Sequence, residues 1–438
     1  MGKRHDLAML LQWLCTLIGN LTGTIILVPH PIAIGETAEQ IYFALLKARR
    51  EKKRLVVLSP YELPWRLRFP LANVEILRLE SEHRVLSLGH PLCIVGNVLL
   101  TLYFGFFRTV NVLMYRIGRP LHESLTIPRI GQKTLWKPEV WMRDFSWQTV
   151  ENYRWCEQLQ TLLPIVLAQE KKRLAEQLRL QMGLPDGAWF ACLHVRESGF
   201  YNDAKQSPER NADIMKYIPA MEEITRRGGW VVRMGDASMT RLPPMERVID
   251  YPFTQAKNAL MDMYLISECR VYMGMQSGIY DVAAMFQRPI ILMNMGSWMF
   301  PFPQKKGDIG IFKHVYSKSR NRYLSIREWL AEPWEANSYW PLGQDYVLHE
   351  NDAEELRTVV KEFFDRGEGW QPTPLQRELN ELRLQSGRKL LDTTIIPGNA
   401  FADAADRYRL ASRLDSAIGV LGSDFLSANL EKGSRNTA

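Results

Sequence analysis

The sequence predicts an α/β fold of two domains, each built on a parallel sheet, and three observations carry that expectation. The chain has 438 residues, more than one hydrophobic core comfortably organises. Short apolar or β-branched runs alternate with longer segments of helical period in both halves. In the second half that alternation is nearly uninterrupted, the pattern of a doubly wound sheet whose ligands gather at the carboxyl ends of its strands. Hydrophobic residues make up 46% of the chain and charged ones 24%, which excludes a disordered polymer.

The elements follow in order. Thr24 to Val28 is a β-branched run that reads as a buried strand. The loop PHPIAIGET leads into a helical pattern from Ala38 to Arg54, and Leu55 to Leu58 is a second short strand. Val74 to Leu79 alternates and reads as a third. Residues 118–148 hold Pro120, Pro128 and Pro138 and read as extended loop. Glu151 to Met182 reads as one or two helices broken at Pro164 and closed by Gly183 and Pro185. Beyond it come a strand over Trp189–Val195, a helix over Ile214–Arg227 ended by Gly228-Gly229, and strands at Trp230–Met234 and Val248–Asp250. A helix over Leu260–Glu268, a strand over Arg270–Gly274, a helix over Tyr280–Gln287 and a strand over Pro289–Met293 continue the alternation. A helix follows Asp352 to about Arg366, and Pro374–Leu391 and Ala402–Asn429 read as surface helices. The expected domains are therefore 1–150, a helical linker over 151–185, 186–370, and C-terminal helices over 371–438.

Charge and cysteine usage narrow the function classes. The formal charge of +7 suits phosphate-bearing ligands or an anionic membrane surface, and with no DNA- or RNA-reading signature it does not point to nucleic acid. Five scattered cysteines without a CxxC pair give neither a disulfide framework nor a zinc site, so a reducing, cytoplasmic setting is expected. No histidine cluster of HExxH type and no DxD motif occurs, and Asp250 and Asp262 stand alone, so neither metal nor other cofactor is expected. Two stretches are unusually apolar. Leu7 to Val28 follows Lys3, Arg4 and His5, is interrupted by Gln12 and Asn20, and ends as a core strand rather than at a cleavage site. Leu92 to Tyr115 is long enough to span a bilayer, but Asn97, Thr101, Arg108 and Asn111 recur at helical spacing. A helix in the membrane interface, or one packed on the core, fits that stripe better than a span.

Three segments carry chemistry. DMYLISECRVYMGMQSGIYDVAAMFQRPIILM, from Asp262 to Met293, places the turn Gln276-Ser277-Gly278 between a strand and a helix N-terminus, where backbone N–H groups and a hydroxyl favour an anion. HVRESGFYNDAKQSPERNADI begins with His194 at a strand end, and Arg196 there can meet a diphosphate bidentately. Tyr201, Asn202 and Asp203 continue that loop, and Arg210-Asn211 close it. The strand WVVRMGD brings Arg233, Gly235 and Asp236 to another carboxyl end. In the N-terminal half, PIAIGETAEQI sets Gly35 and Glu36 at a helix start after the first strand.

Those segments resemble the GT-B glycosyltransferases, in particular ADP-heptose heptosyltransferases, fucosyltransferase-like enzymes with an HxR motif, and bacterial glycosyltransferases of uncharacterised substrate. The resemblance covers roughly residues 24–300 and is strongest over 190–295. It implies two Rossmann-like domains facing across a cleft, with C-terminal helices. The first domain would bind an acceptor and the second a nucleotide-sugar donor. It also implies that Arg196 contacts the donor β-phosphate and that Glu36 is the general base of an inverting, metal-independent transfer, with His194 and Asp203 as reserve bases. The family has an acid where this chain has Gln276. Each residue also has a plain structural reading. Glu36 can simply favour a helix N-terminus, His194 can be satisfied within its strand, Arg196 can be an ion-pair member and Ser277 an N-cap.

The expected function is transfer of a sugar to a glycan or lipid-linked acceptor in bacterial surface polysaccharide assembly. Lipopolysaccharide and capsule are the relevant products. A nucleotide-sugar 2-epimerase of the same fold and a non-catalytic glycan-binding protein are the alternatives. The expected location is the cytoplasm, with the apolar stretches either at the inner-membrane surface or in the core.

Overall fold

The structure is a computed structural model that describes residues 13–29, 33–58, 72–81, 85–86, 91–117, 129–130, 133–134, 165–199, 208–299, 302–337, 342–393, 414–415 and 417–431. It divides into two compact units, Met1–Tyr153 with Leu163–Gln169, and Arg154–Leu162 with Glu170–Ala438.

The first unit holds a small parallel sheet. Helix α1 over residues 13–22 runs through Gly23 into β1 (Thr24–Leu27). Helix α2 (Ile34–Arg50) returns the chain to β2 (Arg54–Val57), which pairs in parallel with β1, Thr24 opposite Arg54. Crossover by a helix is what a parallel pair requires, and α2 buries Ile41, Phe43 and Leu45 beneath it. The helix begins four residues earlier than expected, so Glu36 lies in its first turn.

Val74–Arg78 forms a 3₁₀ turn rather than the expected strand. The Asn73 side chain accepts the Glu75 N–H at 2.8 Å, and Glu75 pairs with Arg78 three residues on at 3.0 Å. Such local bonds compete with ladder formation. Strands β3 (Glu80–Ser81) and β4 (Val85–Leu86) follow, and β4 completes the order β1-β2-β4. Helix α3 (Pro91–Arg116) covers the second apolar stretch. Its Gly96 lies so close to Leu58 that a Cβ would come within 2.8 Å of that side chain, and Cys93 and Asn97 are buried on the same side. Leu99, Leu102 and Phe106 on the other side are exposed, so α3 is not the fully buried core helix that was one of its two readings. Of the expected polar stripe only the Asn97 side chain is described. No helix among the described residues is long and apolar enough to cross a membrane. The hairpin β5 (Arg129–Ile130) and β6 (Lys133–Thr134), and β7 (Ile165–Val166) antiparallel to β3, complete this unit.

The second unit is built on seven strands. Helix α4 (Gln169–Gln181), read from sequence as linker, is tied to it by a Lys172–Glu268 ion pair at 2.9 Å. Then come β8 (Phe190–His194), α5 (Ile218–Arg226), β9 (Trp230–Arg233), β10 (Val248–Asp250), α6 (Ala259–Glu268), β11 (Val271–Gly274), α7 (Gly278–Met285), β12 (Ile290–Met295) and β13 (Ile309–Phe312). An antiparallel sheet of β14 (His314–Ser317), β15 (Arg322–Tyr323) and β16 (Tyr346–His349) branches off, with α8 (Ile326–Ala331) between its last two strands. Helices α9 (Ala353–Asp365) and α10 (Pro374–Thr393), strand β17 (Val420–Leu421) and α11 (Ser423–Asn429) follow.

The main sheet has the order β10-β9-β8-β11-β12-β13-β17, all pairs parallel. Every residue of β8, β11, β12 and β13 is buried, as expected of a parallel sheet covered on both faces. The expected helix over Ala402–Asn429 is interrupted: Val420 and Leu421 extend the sheet instead. Val420 N–H donates to Asp308 and Gly422 N–H to Gly310, at 3.1 and 2.9 Å, so this apolar pair fills the open edge beside β13.

Candidate functional site

The order of the main sheet reverses between β8 and β11. The chain winds from β8 outward to β9 and β10, then returns to the other side of β8 to build β11, β12 and β13. At such a switch point the loops beyond the two central strands diverge and leave a crevice at their carboxyl ends. His194 and Gly274, the last residues of β8 and β11, are partners there. The two strands run so close that a Cβ on Gly274 would sit 2.1 Å from the His194 carbonyl oxygen, and Gly274 has φ +133. The Met275 N–H donates to that carbonyl at 3.0 Å. Ser277 then stands at the N-cap of α7 with extended backbone, but its hydroxyl lies 3.0 Å from His194 Nδ1 instead of capping the helix. Burial, reinforced by the Arg233 and Arg196 charges, pushes the His194 pKa down to about 3. The imidazole is therefore neutral at physiological pH and a weak proton acceptor, better suited to holding Ser277 than to deprotonating a hydroxyl. First-turn N–H groups of α7 have no acceptor inside the helix, so its N-terminus offers donors and a positive dipole end to the crevice.

Two cations follow carboxyl ends of strands in the same sheet. Arg196, two residues beyond β8, is buried and donates to Asn211 Oδ1 at 2.5 Å. Lys313, directly after β13, is also buried and donates from Nζ to the Asn211 carbonyl at 2.6 Å. Asn211 thus bridges both cations through uncharged oxygens. Among the described residues no carboxylate forms an ion pair with Lys313. Burial lowers its pKa to about 8, Lys216 and Arg196 push the same way, and Glu350 and Glu209 oppose them. The Glu209 carboxyl is itself raised by burial, against the pull of Arg210, Lys313 and Arg196. A desolvated positive charge of this kind favours an anion that can reach it.

The other sequence-derived residues fall into distinct places. Arg233 is fully buried and committed, donating to Asp250 at 3.0 Å, Glu197 at 2.9 Å and the Thr240 carbonyl at 3.1 Å. Glu197 also accepts the Thr240 N–H at 2.9 Å, so this network fixes the loop after β9 rather than offering a guanidinium to a ligand. Gly235 packs against Met239, and Asp236 Oδ1 accepts the Ser238 N–H at 2.8 Å, shaping the same loop. Gln276 and Gly278 flank Ser277 and are half-buried, as is Arg210 at the end of a 3₁₀ turn over Pro208–Arg210. Tyr201, Asn202 and Asp203 lie outside the described residues. Glu36 belongs to the first unit, half-buried in the first turn of α2.

Lys313 and Glu209 were not singled out from sequence. A lone lysine ending the apolar strand IGIF was the available signal. Among the described residues no group of His, Cys, Asp and Glu side chains is arranged to hold a metal ion. A shallow cleft of about 480 Å³, lined in part by Arg366, Trp370 and Asp424, lies elsewhere. Arg366 donates to the Gly307 carbonyl just before β13, and Phe364 packs on Trp189 just before β8, so this cleft is at the amino edge of the sheet. His194 and Ser277 are at the opposite edge.

No family model and no curated protein matches the chain. Among solved structures, it is similar to a glycosyl transferase family 9 protein from Veillonella parvula DSM 2008, at 13% identity and a TM-score of 0.30 over 61% of this chain and 79% of that one. It is similar at the same identity and score to the ADP-heptose lps heptosyltransferase II of E. coli, over 61% of this chain and 83% of that one. Likenesses of that size carry no functional weight; the α/β class with parallel sheets stands on the strands themselves.

Proposed function

We propose that the chain is a glycosyltransferase of GT-B type that binds the diphosphate of a nucleotide-sugar at the switch point of its seven-stranded sheet. The observation that carries the reading is the pair Arg196 and Lys313, both buried and joined through Asn211, at the same strand-end edge of the sheet as the Ser277 turn. Two desolvated cations and a helix N-terminus suit a leaving group whose negative charge grows as the glycosidic bond breaks. No step in this scheme calls for a metal ion or other cofactor. In the transfer an acceptor hydroxyl oxygen attacks the anomeric carbon from the face opposite the diphosphate. The bond from that carbon to the diphosphate oxygen breaks, and the nucleoside diphosphate leaves with the bonding electron pair. The hydroxyl proton goes to a carboxylate, for which Glu36 is the candidate. His194, with its low proton affinity, takes the positioning role instead. The acceptor is a glycan or a lipid-linked sugar, and the product belongs to bacterial surface polysaccharide, such as lipopolysaccharide or capsule, made on the cytoplasmic side of the membrane.

Two measurements test this. Thermal unfolding with a panel of nucleoside diphosphates and nucleotide-sugars should reveal at least one ligand that raises the melting temperature, because binding the folded state alone stabilises it. If every member of the panel leaves the transition unchanged, the donor site is wrong. With that donor, Glu36→Gln should keep binding and lose transfer by roughly a hundredfold or more. Conversion of the donor sugar to an epimer without any acceptor would replace transfer with epimerisation.

A further inference from the structure

The first unit carries apolar surface that its own core does not use. On α1, Trp13, Leu14, Leu17, Ile18 and Leu21 share one side of the helix and are exposed, Leu21 to 78%. Among the described residues of this helix only Gly19 is buried, against Thr24. On α3, Val95, Leu99, Leu102, Phe106 and Leu113 recur at spacings of three, four and seven residues on the side opposite Cys93 and Asn97. Leu102 and Phe106 are each 62% exposed. At 1.5 Å per residue that row is about 27 Å long. An exposed apolar row of this length is unusual on a protein meant to face water alone.

Charge says what covers it. The turn joining α2 to β2 carries Arg49, Arg50, Lys52, Lys53 and Arg54 against the single acid Glu51, and all but Lys53 of these cations are exposed. That turn abuts α1: Lys53 Nζ donates to Asn20 Oδ1 at 3.1 Å, and the Arg54 N–H to the Gly23 carbonyl at 3.1 Å. Along α3 and beyond, from Pro91 to His122, no aspartate or glutamate occurs, while Arg108, Arg116 and Arg119 do. Exposed apolar helices flanked mainly by cations match a bilayer surface of anionic headgroups, into which apolar side chains sink while the cations meet phosphate. A second copy of the chain would bring the same positive flank to a symmetric contact and be repelled. We propose that the first unit docks on an anionic lipid surface through α1, α3 and the basic turn at 49–54. This inference does not depend on the donor site of the second unit.

Flotation of the full chain with phosphatidylcholine vesicles, with and without phosphatidylglycerol, tests it. The protein should float with the anionic vesicles at low salt, at least about tenfold more than with neutral ones, and lose most of that binding at high salt. Leu99→Glu with Leu102→Glu, Leu17→Glu with Leu21→Glu, and Arg49→Glu with Arg50→Glu should each lower binding by about tenfold or more. Their melting temperatures should stay unchanged, because every substituted side chain is exposed. Nucleoside-diphosphate binding in these variants should also stay intact, which separates a failure here from a failure of the donor site. The proposal is overturned if the protein does not float with anionic vesicles or floats equally with neutral ones. It is also overturned if any of the three pairs leaves flotation unchanged, or if the apolar rows instead hold a stable dimer in solution that does not bind vesicles.

Discussion

The two units use apolar side chains in opposite ways. In the second, seven strands and the helices over them enclose their hydrophobic residues so fully that β8, β11, β12 and β13 have no exposed position, and polar groups gather at one strand edge. In the first, a three-stranded sheet is covered by α2, while α1 and α3 turn rows of leucine, valine and phenylalanine outward. A wide sheet covered on both faces supplies both a core and a precise crevice. A narrow one leaves helices with a face to spare, available to a second solvent. The two proposals follow that difference, with ligand chemistry assigned to the second unit and surface attachment to the first.

The largest expected effect lies where the second unit is tightest. Gly274→Ala would force a Cβ into the His194 carbonyl at a positive φ, costing roughly 4 kcal/mol from overpacking and backbone strain together. Chemical denaturation would read that loss, and an unchanged midpoint would mean that the strands part more easily than their spacing implies. Next come two truncations that pit the units against each other. Leu193→Ala, in fully buried β8, should lose about 3 kcal/mol. Leu102→Ala, on the exposed row of α3, should stay within about 0.5 kcal/mol of the parent in the absence of lipid. Equal losses would erase the contrast between the units.

Arg196→Ala should weaken nucleoside-diphosphate binding by about a hundredfold in titration calorimetry, because a buried cation hydrogen-bonded to a charged ligand is removed. A loss below threefold would move the diphosphate elsewhere. Lys313 gives a smaller effect on binding than Arg196, with a pH signature. Its folded pKa is lowered to about 8 from 10.5. Below about 8 the folded state bears the cost of a buried charge, and between the two values the unfolded chain binds more protons. Stability contributed by this residue therefore rises with pH across that window. Binding of a diphosphate has the opposite dependence, weakening by about tenfold as Lys313 loses its proton above pH 8. Lys313→Met should flatten both profiles, and an unaltered profile would remove Lys313 from the site.

Strand ends in the second unit were legible because a run such as FACLH is bounded by residues that cannot stay buried. Arg196 and Ser277 could be located by counting past the strands. The same counting put Arg233 in the ligand site, yet its guanidinium is taken by Glu197 and Asp250, one from the neighbouring loop and one from the neighbouring strand. Strand adjacency is a nonlocal fact, and periodicity carries none of it. Lys313 escaped notice for the same reason, since its meaning depends on Asn211, 102 positions earlier. Val420 and Leu421 are too few to form a pattern, and only the vacancy beside β13 makes them a strand.

By itself, then, the sequence determined the α/β alternation, the strand-end turn at Ser277 and the excess of apolar residues in the first unit, all of which are local in the chain. The tertiary structure alone decided which cations meet at Asn211 beyond the strand ends and which helical faces stay outward. Those choices follow from the order of strands in the sheet and from how many helices a sheet of that width can cover.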